Sequence, residues 1–537
     1  MADAKTSGSN AHPSIAPNLL EAIKATPHAV DGLLRGVEKE SLRVSPDGSL
    51  SALPHPRALG SPLTHPAITT DFSEAQLELI TGVHASADAC LGELTDVHRF
   101  VCGNIDEELL WPSSMPCIVG SDDDIPVGRY GNSNIGRTKT VYRHGLGLRY
   151  GRLMQTISGI HYNFSLSDSM WDALGVHTQS KRTAAYFGLI RNFRRWSWLL
   201  IYLFGASPAV CRSFTRNIEH SLQPLDEGSQ HLPHATSLRM GPLGYQSSAQ
   251  SSLSISYNSL EEYANSMVEA LTQTYPEYAA HGVRKDDEYL QLNTTVLQIE
   301  NEFYGTIRPK RSALSGERPV AALRERGVEY VEVRCLDLNP YLPLGLDQQQ
   351  IHFLDTFLLL CLLAESGPDS QAEFTRIGAN QVAIVERGRD PQTTLSDEEG
   401  QDTSPSTWGT RLLGQCANIA ALLDANIEGT PYADATAAQS DKLADPSLTP
   451  SAMILADMAE QSIPFFGFSM AQASRHKAYF DSLPLAEAEQ AEFERSVAES
   501  LAKQDAIEAA DTLSFDDFLQ EYLAIPDTPT KRRNPSR

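Results

Sequence analysis

The sequence predicts an α+β fold in which helices cover one face of a largely antiparallel sheet and leave the other face open. Three observations predict it. Strand-like stretches are spread along the chain and are joined by helices or long connections, not by tight hairpins alone. Helical periodicity recurs between them. From Leu485 to Leu523 the chain is mostly Ala, Glu and Leu, which fits a C-terminal helical layer.

The composition sets the limits. A chain of 537 residues with 41% hydrophobic content can bury a large core. No Pro/Gly/Ser-rich linker divides it, so residues 15–524 are expected as a single catalytic domain. Residues 1–14 and 525–537 are polar and Pro-rich and are expected to be disordered. The opening "MADAKTSGSNAHPS" lacks the basic and apolar regions of a signal peptide. "WSWLLIYLFGASPAV" and "FLDTFLLLCLLAES" fall short of the roughly 20 apolar residues of a membrane span and read as buried helices. A net charge of −25 argues against nucleic acid or an anionic membrane as partner. The seven cysteines (Cys90, Cys102, Cys117, Cys211, Cys335, Cys361 and Cys416) stand singly, so reduced thiols in a cytoplasmic protein are expected.

In chain order, "LLRGVEKESLRV" reads as a strand that points Glu38 and Glu40 to the same side. Two buried carboxylates facing the same way repel, so either the face lies in water or a positive charge stands between them. "TTDFSEAQLELITG" has a Thr lead-in and a closing Gly and reads as a short helix. Two turns at about 100° per residue would stack Asp71 and Glu78, with Glu74 left as a solvated residue. "SADACLGELTDVHRFVCGNIDEELL" carries a helical stripe of Leu91, Leu94, Val101 and Ile105. "QTISGIHYNFSL" alternates His161, Asn163 and Ser165 with Ile160, Tyr162 and Phe164. "NSLEEYANSMVEALTQTY" opens a helix with a capping-box pair, Ser259 and Glu262. "QLNTTVLQIENEFY" reads as a strand with Gln298, Glu300 and Glu302 on one side. "GVEYVEVRCLDL" alternates Glu332 and Arg334 with valines and Cys335. "TLSDEEGQDTSPSTWG" reads as an acidic surface loop.

One such strand is an ordinary solvated face. Four of them, with Glu, His, Asn and Arg on the polar side, point to a site. Glu38, Glu40, Asp71, Glu78, His161 and Glu332 give five carboxylates and one imidazole. That set suits magnesium or manganese better than zinc. There is no EF-hand loop, no Walker motif and no ordered G-x-G-x-x-G unit, so phosphate would be handled by metals and arginines.

At these residues the chain resembles a known family. "RGVEKESLRV", "SPLTHPAITTDFSEAQLELIT", "LMQTISGIHYNFSL", "YLFGASPAVC", "LQIENEFYGTIRPKR" and "VEYVEVRCLDLNP" are similar to the proteobacterial type of glutamate–cysteine ligase, in blocks from about Arg35 to Arg387. The resemblance implies the glutamine synthetase-like catalytic fold, a curved antiparallel sheet with a funnel-like site. It implies ATP-dependent joining of the L-glutamate γ-carboxyl to L-cysteine, the first step of glutathione synthesis, by way of γ-glutamyl phosphate. It also implies two metal triads: Glu40, Asp71 and Glu78 around one magnesium, and Glu38, His161 and Glu332 around another, with Arg334 aimed at the transferring phosphoryl group. Phe72, Tyr142, Arg143, Gln155, Asn163, Arg239, Tyr245 and Tyr304 are implied as substrate contacts, and Arg308, Lys310 and Arg311 as nucleotide contacts. ATP, glutamate and cysteine would be the partners of a monomer. Two other readings stay open: a ligase of the same kind with a different amine acceptor, and a carboxylate-rich cation binder without catalysis.

Overall fold

The computed structural model describes residues 15–524, apart from 27–28, 217, 245–247, 252, 313 and 315–316. The two expected disordered ends and Tyr245 lie outside the described residues.

Among the described residues, seven strands form one antiparallel sheet: β1 (Leu33–Val44), β2 (Ile68–Thr70), β3 (Gln76–Ile80), β4 (Leu109–Leu110), β5 (Ile160–Leu166), β6 (Ile307–Lys310) and β7 (Tyr330–Leu336). The order is β6-β7-β5-β1-β3-β2, with β4 also paired to β1. Long β1 is central, and its register sets the site. Glu38 pairs with His161 on one side and Ile80 on the other, and Glu40 pairs with Glu78. Asn163 of β5 faces Glu332 of β7, which faces Arg308 of β6.

The lower face of the sheet is the core. Val37, Leu79, Ile160, Tyr162, Phe164, Val331 and Val333 are buried there. Helices α1 (Ala87–Cys102), α3 (Gln179–Phe204) and α5 (Gln348–Leu363) join them in the same cluster. The two apolar stretches of the sequence lie for the most part in the buried helices α3 and α5, although the first runs past Phe204 into a short strand, Ala209–Cys211. No helix of the described residues is long and apolar enough to cross a membrane. Each of these helices starts on a side-chain cap: Ser86 for α1, Thr178 for α3 and Asp347 for α5. The same device starts α4 (Leu260–Thr272), where Ser259 accepts from the Glu262 amide. The C-terminal helical layer is present as α6 (Glu487–Ala510) and α7 (Phe515–Leu523).

Four expectations are corrected. "TTDFSEAQLELITG" is not a helix but the β2–β3 hairpin, with Thr69 opposite Glu78. Its period-two pattern decides this, because Leu77 and Leu79 are fully buried while Glu78 and Ile80 turn to the other side. "VLQIENEFY" is not a strand. Residues Glu300–Glu302 form a single 3₁₀ turn, and both glutamates are buried against Arg318 (2.8 Å) and Arg149 (2.9 Å). The acidic stretch near residue 400 holds a small hairpin, Leu395–Ser396 with Asp402–Thr403, and the helix Pro405–Asp424 begins inside it. Finally, Cys117 and Cys211 form a disulfide across 94 residues, with Cα atoms 5.1 Å apart. The other five cysteines are free and buried. Seven reduced thiols was therefore wrong, and the thiols no longer argue for a compartment.

Candidate active site

The upper face of the sheet floors a cavity of about 730 Å³. Strand alternation sends the carboxylates there: Glu38 and Glu40 from β1, Glu78 from β3 and Glu332 from β7, with His161 from β5. Asp71 and Phe72 reach it from the turn of the β2–β3 hairpin. Helix α2 (Asn134–Tyr150), capped by Ser133, forms a wall and contributes Tyr142 and Arg143. Gln155, Arg239, Tyr304, Arg308, Lys310 and Arg334 complete the inward polar groups that the sequence singled out.

The carboxylates are closely grouped. Ligand atoms of Glu38, Glu78 and His161 all lie within 4.8 Å of one another. His161 Nδ1 is 3.0 Å from Glu38 Oε2, and its Nε2 is 3.7 Å from Glu40 Oε1. Asn163 donates to Glu38 at 2.9 Å, and the Gly159 amide donates to Glu40 at 2.7 Å. Glu332 instead sits between two cations, with Lys310 Nζ at 2.9 Å and Arg334 Nη1 at 3.0 Å. The tight group thus draws on both implied triads: Glu78 from one, and Glu38 and His161 from the other.

The protonation energetics follow this layout. Burial pushes Glu332 up, but Lys310 and Arg334 outweigh it and hold the carboxyl well below the ordinary range. Glu38 is likewise raised by burial, yet the bond from His161 leaves it below its usual value. Glu78 has no such cation. Burial and then the charges of Glu38, Asp71, Glu40 and Glu332 push it well above the carboxylate range. Glu40 is also raised, first by burial, although His161 opposes the shift. Oxygen donors with one imidazole, crowded until one carboxyl favours its proton, are the donor chemistry of a hard divalent cation. The residues fit such an ion.

The backbone is shaped for this packing at Gly159. A Cβ there would stand 2.0 Å from the Arg239 guanidinium. That guanidinium is itself buried, 3.7 Å from Asp337 and bonded to the Arg334 carbonyl at 3.0 Å.

A model of the glutamate-cysteine ligase family matches residues 20–384. The glutamate–cysteine ligase of Pseudomonas paraeruginosa is 50% identical over 497 residues, covering 91% of this chain and 94% of the relative. The chain belongs to the glutamate–cysteine ligase family. The ligase of Azotobacter vinelandii is 49% identical over 500 residues, with the same coverage of both chains. The crystal structure of the Francisella tularensis glutamate–cysteine ligase in complex with AMP superposes with a TM-score of 0.87 at 36% identity, over 92% of this chain and 97% of that one.

Set beside the sequence expectations for this family, most named residues meet in the cavity. Arg311 does not. It lies beyond the end of β6, half-buried, and bonds the Arg326 carbonyl at 3.1 Å. Asn163 bonds Glu38 and is not on the wall. Glu74, left out as a solvated residue, is in fact buried, and its carboxylate accepts from the His55 and Arg129 amides. Three residues at the cavity were not named from the sequence: Gly159, Asp337 behind Arg239, and Lys139 on the cavity wall. The spacing of Lys139 and Arg143, one helical turn apart, was the signal available for the last.

Proposed function

We propose that this cavity joins the γ-carboxyl of L-glutamate to the amine of L-cysteine at the expense of ATP, giving γ-glutamylcysteine, ADP and phosphate. The observation that carries the reading is the carboxylate cluster with Arg334 and Lys310 beside it, on a chain of this family. Magnesium or manganese would be held by Glu38, Glu40, Asp71, Glu78, His161 and Glu332, and when bound would neutralise phosphate charge as a Lewis acid. The chain covers residues 15–524 as one catalytic unit and works as a monomer in the cytoplasm, where ATP is supplied.

The steps balance as an acyl-phosphate route. An oxygen of the glutamate γ-carboxylate bonds to the γ-phosphorus of ATP as the bond to ADP breaks. The free amine of cysteine then bonds to the acyl carbon, the C–O bond to phosphate breaks, and the amine proton leaves to solvent. Phosphoryl transfer needs alignment and charge neutralisation more than covalent help. Arg334, fixed by Glu332 and by its own amide bond to the Thr306 carbonyl (2.9 Å), presents its guanidinium to the phosphoryl oxygens. Lys310 and Arg308 hold the nucleotide phosphates. Arg239 and Gln155 orient glutamate, and Phe72, Tyr142 and Tyr304 enclose the cysteine side chain.

The test is isotopic. Oxygen-18 placed in the glutamate γ-carboxyl is expected in the released phosphate, one atom per turnover. Label retained wholly in the peptide would overturn the acyl-phosphate route. ADP release with other amines but not with cysteine would move the reading to a ligase of different acceptor.

A further inference from the structure

Lys139 is a cavity cation to which the mechanism above gives no task. It precedes Arg143 by one turn of α2, and Arg143 Nη1 donates to the Lys139 carbonyl at 3.0 Å. Both cations flank Tyr130. The Lys139 ammonium is 5.3 Å from the ring centroid and the Arg143 guanidinium 4.3 Å. Tyr130 in turn donates to the Thr70 carbonyl and to the Asp71 carbonyl (2.6 Å), and Arg143 Nε donates to the Asp71 carbonyl. The pair is therefore anchored to the same hairpin turn that presents Asp71 and Phe72.

The other cations of the wall are engaged. Arg334 and Lys310 share Glu332, Arg194 meets Asp369 at 3.3 Å, and Arg239 lies against Asp337. Arg308 donates to the carbonyls of Asn301 and Phe303. Among the described residues, the Lys139 ammonium makes no hydrogen bond or ion pair, and Arg143 reaches only carbonyl oxygens. An ammonium set into a protein wall without an anion is poorly solvated. Burial first, then the charge of Arg143, hold its pKa down to about 8, and Glu78 opposes this only in part. An arriving anion would relieve that imbalance.

We propose that Lys139 and Arg143 together form a subsite for an anionic oxygen of a substrate, with Lys139 setting the affinity. The proposal rests on the ligase reading. Three substrate groups have this chemistry: a carboxylate of glutamate, the carboxylate of the acceptor amino acid and a phosphate of the nucleotide. A lysine, as a compact point charge, serves any of them.

The experiment is steady-state ADP release by the full chain, wild type and variants, with each substrate varied in turn. Lys139→Gln is expected to raise the KM of one substrate by about 10-fold or more, the scale of a lost bond to a charged group, and to leave kcat within about 3-fold. Lys139→Met, which keeps the packing on Tyr130, gives the same rise, and Lys139→Arg restores most of the affinity. Cysteamine, which is cysteine without its carboxylate, separates the sources. A penalty on the acceptor that vanishes with cysteamine assigns the carboxylate. A penalty on ATP that persists with cysteamine assigns the phosphate, and a penalty on glutamate alone assigns its carboxylate. Unchanged KM values for all three substrates in an active Lys139→Gln enzyme overturn the subsite, as does a fall in kcat at constant KM. A wild-type chain silent with glutamate and cysteine overturns the ligase reading, and the subsite with it.

Discussion

The two faces of β1 carry opposite charges and dispose of them in opposite ways. Below the sheet the strand points Arg35, Lys39 and Arg43 into the core, and each finds its partner inside the protein. Arg35 pairs with Asp355 at 2.9 Å, and Tyr162 also donates to that carboxylate at 2.6 Å. Arg43 holds Glu108 and the carbonyls of Leu53 (2.8 Å), Pro54 and Glu74. Lys39 bonds His98 at 2.8 Å and the Pro343 carbonyl at 3.1 Å. Above the sheet, Glu38, Glu40, Asp71, Glu78 and Glu332 meet His161 and two close cations, and both cations are spent on Glu332. Buried charge by itself therefore does not mark a site, since the lower face has it too. Charge of one sign crowded around an open cavity does.

The comparison breaks most directly at Glu38. If the excess negative charge exists to hold a cation, a chelator should abolish turnover, and added magnesium or manganese should restore it. Glu38→Gln keeps the shape and removes one charge, so kcat should fall by at least ~10²-fold. The melting temperature should hold or fall slightly, because the bonds from His161 and Asn163 keep the Glu38 carboxyl below its ordinary pKa and so make its charge net stabilising, although Glu332 opposes them. Near-normal kcat in Glu38→Gln would mean that the upper face is merely acidic. Metal titration followed by calorimetry is the direct readout.

Asp355→Ala probes the opposite face and should have the opposite signature. It strands the fully buried Arg35 without its carboxylate, which costs about 3–5 kcal/mol for a broken buried pair. Urea unfolding should show that loss, while kcat of the folded enzyme stays close to wild type. A stable Asp355→Ala enzyme with depressed kcat would tie the lower face to the chemistry.

The lower face also predicts a pH response. Burial first, and then Lys39 and Arg475, hold the His476 imidazole down to about 3 from its ordinary 6.5. Between those values the unfolded chain takes up a proton that the folded chain refuses. The contribution of His476 to stability is therefore full above about pH 6.5 and is lost as the pH falls towards 3. At pH 5 the loss is about 2 kcal/mol. His476→Gln should unfold with a weaker pH dependence than wild type across that window. Parallel curves for the two would show that the imidazole is protonated in the fold.

The legibility of the sequence differs between these same features. Period-two alternation placed Glu38, Glu40, His161, Glu332 and Arg334 on one side, because a sheet with one buried face fixes that parity. It failed for Glu300 and Glu302, where the same alternation occurs in a 3₁₀ turn whose glutamates have arginine partners 18 and 153 residues away in sequence. It also failed for Asp71 and Glu78, since their spacing fits one face of a helix as well as two arms of a hairpin. Helix α1 was legible from its apolar stripe and α4 from its capping pair, whereas α2, which walls the site, was not. The Cys117–Cys211 disulfide was not, because pairing over 94 residues leaves no local pattern. Nor were the partners of Arg35 and Lys39, which come from α5 and α1. What sequence does not carry here is long-range pairing of buried charge.

The smallest effect belongs to Arg311, which sequence proximity put with the nucleotide contacts. In "IRPKR" the alternation of β6 turns Arg308 and Lys310 to the cavity, and the strand ends at Lys310. Arg311 then points elsewhere, 3.6 Å from Glu329 and bonded to the Arg326 carbonyl. Both partners lie on the partly exposed rim, where an ion pair of this kind contributes about 0–1 kcal/mol. Arg311→Ala should therefore leave kcat and the KM for ATP within about 2-fold of wild type. Lys310→Ala, one residue earlier, removes a cation 2.9 Å from Glu332 and should weaken ATP binding by an order of magnitude or more. The pair is a test of parity within one short strand. If Arg311→Ala instead matched Lys310→Ala in raising the KM for ATP, the rim would have to turn inward when nucleotide binds. The boundary between the balanced and the unbalanced charges would then lie outside the strand.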